Sequence, residues 1–305
     1  MSELIKGTII KGLGGLYDIL TEDGNIISCK AKGLFRHNGI TPYAGDNVII
    51  KQSDSGIVIE EISDRKNHLI RPPVANLDIL FTVIATAKPA PMLHITDKLI
   101  SIAEYNKIEP VIIVSKSDLD EQEAERISEI YKKSGFTVFV SGLESDKGQL
   151  IDFVKQQANG KISAFAGASG VGKSTVMNAL FPKLTLQTGD VSHKTERGKH
   201  TTRHVELFKL DYLTDDSSMS GFIADTPGFS LIDFTRFDFY KKEDLVYTFR
   251  EFEEYLGTCK YTKCSHTRED GCKVIEAVKN GSIPEERHLS YIEIYNTLKN
   301  KHDWD

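Results

Sequence analysis

Ile162-Ser163-Ala164-Phe165-Ala166-Gly167-Ala168-Ser169-Gly170-Val171-Gly172-Lys173-Ser174-Thr175 decides the fold. Its first part, Ile162–Ala166, reads as a buried strand. From Gly167 the chain fits G-x-x-x-x-G-K-[ST], with a helix expected from Lys173. Phosphate oxygens need donors and little steric bulk. Glycines let backbone N–H groups turn inward, and a helix N-terminus adds positive potential. Lys173 is expected to reach the β- and γ-phosphates and Ser174 to ligate Mg²⁺, within a cradle running from Gly167 to Thr175. The loop implies a nucleoside triphosphate and leaves the base open.

Upstream, Leu77–Ala85, Pro110–Val114 and Phe136–Val140 read as strands. Asp97–Asn106, Glu121–Lys133 and Lys147–Gln157 have helical spacing. Strands alternating with helices predict a parallel sheet of the P-loop or Rossmann type. Downstream, His204–Leu210 and Gly221–Ala224 are further strands, and Glu243–Tyr255 and Pro284–Lys299 are the best late helices.

The base is read from Ser115-Lys116-Ser117-Asp118, which closes a strand and resembles N/T-K-x-D. Asp118 would accept bonds from guanine N1–H and the 2-amino group. Adenine offers neither donor, so a site built on Asp118 discriminates strongly. Lys116 would lay its stem across the base. Ser115 replaces the commoner Asn, and a hydroxyl makes fewer bonds to base and phosphate loop. Ser141-Gly142 stands where GTPases carry a short S-A-type turn whose backbone touches the guanine oxygen.

Hydrolysis needs a Mg²⁺ and γ-phosphate sensor. Asp225-Thr226-Pro227-Gly228 fits D-x-x-G: Asp225 would hold Mg²⁺ through water and the Gly228 N–H would reach the γ-phosphate. Phe229 follows where many GTPases have Gln, so another group must place the attacking water. The polar, basic stretch Val191–His204 reads as a switch. Thr201 or Thr202 could close on Mg²⁺, and His200 is the candidate for placing the water, against the plainer reading of a solvated basic loop. The base motif precedes the phosphate loop, the reverse of the usual order. A circularly permuted domain keeps all elements in place in space.

The remaining chain frames this domain. Residues 1–70 carry about five short strands punctuated by turns such as Gly14-Gly15, Glu22-Asp23-Gly24 and Gly45-Asp46, suiting an OB-type barrel or an SH3-like one. His68-Leu69-Ile70-Arg71-Pro72-Pro73 reads as a linker whose prolines prevent regular pairing. A central α/β domain over 71–232 and a mostly helical domain over 233–305 complete a multidomain expectation. Cys259-x4-Cys264-x-His266-x5-Cys272 offers three thiolates and one imidazole, a full tetrahedral zinc set with no open position, hence structural. Cys29 reads as an ordinary buried residue. A net charge of −6 excludes a wholly basic nucleic-acid binder and leaves room for a local patch. No apolar run approaches a membrane span, and the N-terminus lacks a secretion signal, so a cytosolic protein is expected.

Taken together, the N-terminal barrel, His68-Leu69-Ile70-Arg71-Pro72-Pro73-Val74-Ala75-Asn76, the permuted motif order, Gly198-Lys199-His200-Thr201-Thr202, Asp225-Thr226-Pro227-Gly228-Phe229-Ser230 and C-x4-C-x-H-x5-C resemble the ribosome small-subunit-dependent GTPase A (RsgA) family over essentially the whole chain. The resemblance implies a permuted GTPase with an OB-fold in front and a zinc domain behind. It implies action in late maturation of the small (30S) ribosomal subunit, binding to 16S rRNA, and a slow GTPase stimulated by 30S. Lys173 and Ser174 carry over as phosphate and Mg²⁺ residues, Lys116 and Asp118 as guanine readers, and Cys259, Cys264, His266 and Cys272 as zinc ligands. The family's hydrophobic residue in place of Gln agrees with Phe229. For the barrel, Lys6, Lys11, Lys30, Lys32, Arg36 and His37 are the candidate rRNA contacts, against acidic neighbours such as Glu22 and Glu60. GTP or GDP, Mg²⁺ and one Zn²⁺ are the expected ligands. A monomer is expected, and the guanine pocket would also admit alarmone nucleotides.

Overall fold

The structure, a computed structural model, describes residues 3–37, 39–53, 56–143, 145–181, 205–214, 216–225 and 239–301. In chain order the elements are β1 (Glu3–Leu13), β2 (Leu16–Thr21), β3 (Ile26–Ala31), α1 (Gly33–His37), β4 (Asn47–Ser53), β5 (Gly56–Ile62), β6 (His68–Leu69) and β7 (Val74–Ala75). There follow β8 (Ile79–Ala85), α2 (Leu93–Tyr105), β9 (Glu109–Ser115), α3 (Glu121–Lys133), β10 (Thr137–Ser141), α4 (Lys147–Ala158), β11 (Lys161–Ala166) and α5 (Lys173–Leu180). The last are β12 (Glu206–Lys209), α6 (Leu210–Thr214), β13 (Gly221–Asp225), α7 (Lys273–Lys279) and α8 (Glu285–Lys299).

The chain divides into two compact units. The first comprises Met1–Ile79, Gln157–Phe165 and His193–Phe229. In it β1-β2-β3-β5-β4 follow one another, and β4 pairs back onto β1, which closes a five-stranded barrel. β3 and β5 run parallel and the other barrel pairs antiparallel, the OB arrangement of the two expected barrels. Ile9, Ile19, Cys29, Val48, Ile50 and Ile59 fill the barrel core. Cys29 is therefore the buried apolar residue it was expected to be, and burial pushes its thiol up to about 11. β1 is longer than the expected Gly7–Ile10 because it has three partners: β2, β4, and β12 through Lys11 opposite Glu206. β13 runs parallel to β11 and antiparallel to β12.

The second unit comprises Leu80–Gln156, Ala166–Ser192 and Ser230–Asp305. β10, β9 and β8 lie side by side, β10 parallel to β9. Every residue of β8 is buried, as a central strand of such a sheet requires. Ile84, Ile100, Ile112, Val114, Ala124, Ile127, Tyr131 and Phe136 form a core between the strands and α2 and α3. α3 has the expected bounds because its ends are written locally. Asp120 accepts the Glu123 N–H at 2.9 Å, Glu121 and Glu123 open the helix, and Lys132 and Lys133 close it before Gly135.

Three expectations are corrected. Glu243–Tyr255 is a pair of 3₁₀ segments, Lys242–Thr248 and Arg250–Tyr255, rather than one α-helix. Buried Leu245, Thr248, Phe249 and Phe252 keep the α-helical spacing that suggests one helix, but Phe249 (φ −115°, ψ 88°) leaves helical geometry and divides the segment in two. Leu210 begins α6 instead of ending a strand. The segment 68–75 does pair: β6 and β7 form a two-residue ladder on either side of the prolines, held by Asn67, whose side chain bonds both Leu77 N (2.9 Å) and Leu77 O (2.8 Å). No helix among the described residues is long and apolar enough to cross a membrane.

Candidate nucleotide site and metal centre

In the second unit the phosphate loop leaves β11 at Gly167 and enters α5 at Lys173. Gly167, Gly170 and Gly172 all have positive φ. A Cβ on Gly167 would strike the Val83 carbonyl oxygen, so the loop lies against β8 only with glycine there. A Cβ on Gly172 would meet Leu143 Cδ1 at 2.8 Å. Lys173 folds back over the loop, donating to Gly167 O (2.8 Å) and Ala168 O (2.6 Å). Burial lowers its pKa to about 8. An ammonium resting on two loop carbonyls lies within a short swing of any phosphate the loop holds. Ser169 is exposed, Val171 buried, and Ser174 and Thr175 half-buried at the head of α5.

The base-reading turn is tied to this loop. Ser115, fully buried at the end of β9, donates its hydroxyl to Val171 O at 2.6 Å and lies 3.3 Å from Ile84 O. The short side chain therefore still reaches the phosphate loop. Lys116 sits in the left-handed region (φ 59°), and its ammonium bonds Gly170 O (2.7 Å) and Lys88 O. Its stem thus spans from the turn to the loop. Ser117 and Asp118 open a 3₁₀ turn, with Asp118 exposed. Gly142 abuts Asp118: a Cβ on it would lie 3.4 Å from Asp118 Oδ1. Ser115, Lys116, Asp118, Gly142 and the loop thus converge.

Sequence reasoning missed three supports of this site. Thr86, just past β8, donates its hydroxyl to Lys116 O (2.6 Å) and its N–H to Ser115 O (3.1 Å), bracing the turn. Leu143, at φ 66°, packs over Gly172. Asp146 gathers the donors of the 141–143 turn. A polar residue just ahead of α4 was legible as a helix cap; its inward role was not.

Asp225 belongs to the first unit, at the end of β13 opposite Glu206. Burial, and then the Glu206 charge, raise its pKa; Glu206 in turn pairs with Lys11 at 2.7 Å. His200, Thr201, Thr202, Gly228 and Phe229 lie outside the described residues. Of the barrel cations, Lys6, Lys30 and His37 are exposed, while Lys11 and Lys32 are paired with Glu206 and Glu60.

Cys259, Cys264, His266 and Cys272 bring one ligand atom each to within 4.8 Å of one another. Cys259 Sγ stands 3.9 Å from Cys272 Sγ and 3.6 Å from His266 Nδ1, which is 3.3 Å from Cys272 Sγ. A tetrahedron with ~2.3 Å metal–sulfur bonds has edges of ~3.8 Å, so the set fits one metal ion. Burial lowers the His266 pKa and so favours the neutral imidazole that a metal ligand requires. It raises the Cys264 and Cys272 thiols, which a metal would have to deprotonate. His266 is fixed by its carbonyl, which lies 2.7 Å from His288 Nε2, and by a positive φ of 56°. Beneath the cluster, buried Arg287 bonds Asp97 of α2 (2.5 Å) and Glu251 (2.6 Å), tying the C-terminal helix to the α/β core.

The chain is similar to known proteins over nearly its whole length. Residues 62–235 match the model of the RsgA GTPase, and residues 6–58 that of the RsgA N-terminal domain. A "Small ribosomal subunit biogenesis GTPase RsgA" of Clostridium perfringens is 40% identical over 298 residues, covering 97% of this chain and 99% of that one. The "Small ribosomal subunit biogenesis GTPase RsgA 2" of Listeria monocytogenes is 40% identical over 304 residues, with 98% and 99% covered. The crystal structure of YjeQ from Thermotoga maritima superposes with a TM-score of 0.80 at 31% identity, covering 98% of this chain and 100% of that one. That of YloQ, a circularly permuted GTPase, gives 0.77 at 31%, covering 98% and 96%.

Proposed function

The chain belongs to the RsgA GTPase family and is a GTPase of circularly permuted fold, and we propose that it binds the small (30S) ribosomal subunit and couples GTP hydrolysis to its late maturation, with turnover stimulated by 30S. One observation carries the guanine half of this reading. The Ser115–Asp118 turn and the phosphate loop are fastened together by the Ser115–Val171 and Lys116–Gly170 bonds, so base and phosphates of one nucleotide have a common platform.

On this reading Asp118 accepts from guanine N1–H and the 2-amino group, and the Gly142 N–H donates to the guanine oxygen. Lys116 covers the base. Residues Gly167–Thr175 hold the phosphates, with Lys173 on the β- and γ-phosphates. Ser174, Asp225 and Thr202 would hold Mg²⁺, and the ion would neutralise charge developing on the phosphates. Gly228 senses the γ-phosphate, Thr201 or Thr202 closes the switch, and His200 places the water that Phe229 cannot. Cys259, Cys264, His266 and Cys272 hold one structural Zn²⁺. Residues 1–70, 71–232 and 233–305 act as barrel, GTPase and zinc domains, the barrel's exposed cations meeting 16S rRNA. The protein acts in the cytoplasm as a monomer, and alarmones compete for its guanine pocket.

Phosphate release from GTP and ATP, with and without purified 30S subunits, tests the reading. Slow GTP turnover that rises sharply with 30S, with ATP inert, is expected. GTP turnover indifferent to 30S removes the ribosomal partner, and ATP turnover overturns the role of Asp118.

A further inference from the structure

Three donors of the 141–146 turn converge on a single oxygen. Asp146 Oδ1 accepts the Ser141 hydroxyl at 3.0 Å, the Gly142 N–H at 3.0 Å and the exposed Ser145 hydroxyl at 3.2 Å. The Leu143 N–H, donating to Ser141 Oγ at 2.9 Å, locks the hydroxyl that feeds it. Ser141, Gly142 and Leu143 are buried, whereas Asp146 is half-buried and can swing to water. Gly142 lies against Asp118, so this oxygen is held on the same edge of the site as the carboxylate that reads the base. Ser145 belongs to the same cap: its exposed hydroxyl lies over Gly142, where a Cβ would turn it aside.

A carboxylate oxygen held by a backbone N–H has the acceptor chemistry of a purine 6-oxygen. We infer that Asp146 is an internal stand-in for the guanine 6-oxygen: it occupies the Gly142 N–H while the base pocket is free and is displaced by the base. The inference rests on the guanine reading of Gly142 proposed above. Asp146 is then a positioning and specificity residue. It keeps the buried N–H satisfied in the free protein, and it yields that N–H only to a base that brings an acceptor of its own to the position. A purine without an acceptor at carbon 6 has nothing to exchange for the carboxylate, so Asp146 stays on the Gly142 N–H and that base gains no bond there, a disadvantage added to the one that Asp118 imposes.

The same competition lowers the affinity for guanine nucleotides, because only the fraction of molecules with Asp146 swung out can bind. The test measures dissociation constants of GDP and of 2-aminopurine riboside diphosphate, which keeps the 2-amino group and lacks the 6-oxygen, for wild type, Asp146→Ala and Asp146→Asn. The analogue also lacks N1–H, so the readout is the ratio between protein variants for each nucleotide. The expected result is that Asp146→Ala tightens GDP by about tenfold and Asp146→Asn by less, while the analogue changes by less than about twofold. An unchanged or weakened GDP affinity, or an equal shift for both nucleotides, overturns the inference and leaves the guanine reading standing. Wild-type protein that binds the two nucleotides equally well overturns both. Melting temperatures of the nucleotide-free proteins control for folding, and Asp146→Asn carries the test if the alanine variant is unstable.

Discussion

Ser115→Ala isolates the bond that joins base recognition to phosphate binding. The Ser115 hydroxyl is fully buried and donates to Val171 O at 2.6 Å. A neutral buried hydrogen bond contributes ~1–1.5 kcal/mol net, and a stranded buried acceptor costs up to ~3 kcal/mol. The loop also keeps its Lys116–Gly170 tether and its packing against Leu143, so the lower figure applies. If that loss falls on the binding-competent loop alone, the competent fraction drops about tenfold, and apparent dissociation constants rise by the same factor. GDP and GTP should weaken together, since the tether touches neither base edge nor γ-phosphate. Preference for guanine over adenine should not change, because it rests on Asp118. Titration with a fluorescent guanine nucleotide, followed by competition with GTP, GDP and ATP, reads both quantities. Affinities within about twofold of wild type would show that the bond is incidental. A loss of base selectivity would show that Ser115 acts on the base itself.

Burial lowers the Lys173 pKa to about 8 in the free protein. Phosphate favours the charged amine, so nucleotide affinity should hold steady below pH 8 and fall as pH rises through it; titrations from pH 7 to 9.5 check this, and a flat profile refutes it. For the metal centre, Cys264→Ser should reduce bound zinc from one per chain to none by elemental analysis and speed hydrogen exchange across residues 259–299; purified wild-type protein without zinc would end that reading. Arg287→Ala leaves the buried Asp97 and Glu251 carboxylates unpaired, at ~3–5 kcal/mol. The melting temperature should drop on the order of 10 °C; a drop of under about 3 °C would mean that the network is better solvated than its burial implies.

Sequence legibility followed locality. α3 was readable to the residue because Asp120, Glu123, Lys132, Lys133 and Gly135 are all within it or beside it. The barrel strands were readable from their turns, but the length of β1 was not, since partners as distant as Glu206 set it. Residues 242–255 carry an apolar pattern of α-helical spacing, and the departure from helical geometry at Phe249 that divides the segment leaves no mark in that pattern. The same division holds at the site. Gly167, Lys173, Ser115, Asp118 and the Cys/His set obey fixed spacings and announce themselves. Thr86 and Asp146 act through a hydroxyl and a carboxylate aimed at another segment's backbone, which leaves no periodic trace. Asp97 and Arg287 meet across 190 positions.

The two guanine-side positions that depart from the common pattern are both occupied by smaller residues, and a crowding neighbour accounts for each. At 115, the Val171 and Ile84 carbonyls already stand 2.6 and 3.3 Å from the Ser115 hydroxyl. At 142, the Ser145 hydroxyl fills the space of a Cβ, and Asp118 lies just beyond it. A reading by motif alone treats these positions as weakened copies of a stronger site, to be improved by restoring Asn and Ala. The geometry argues otherwise. Asn at 115 would have to displace a strand end or the loop to fit its amide between two carbonyls. Ala at 142 would turn aside the Ser145 hydroxyl and take one of the three donors from Asp146. Each small residue is matched to a partner several residues away, so restoring one consensus residue without its partner should disturb the site rather than strengthen it.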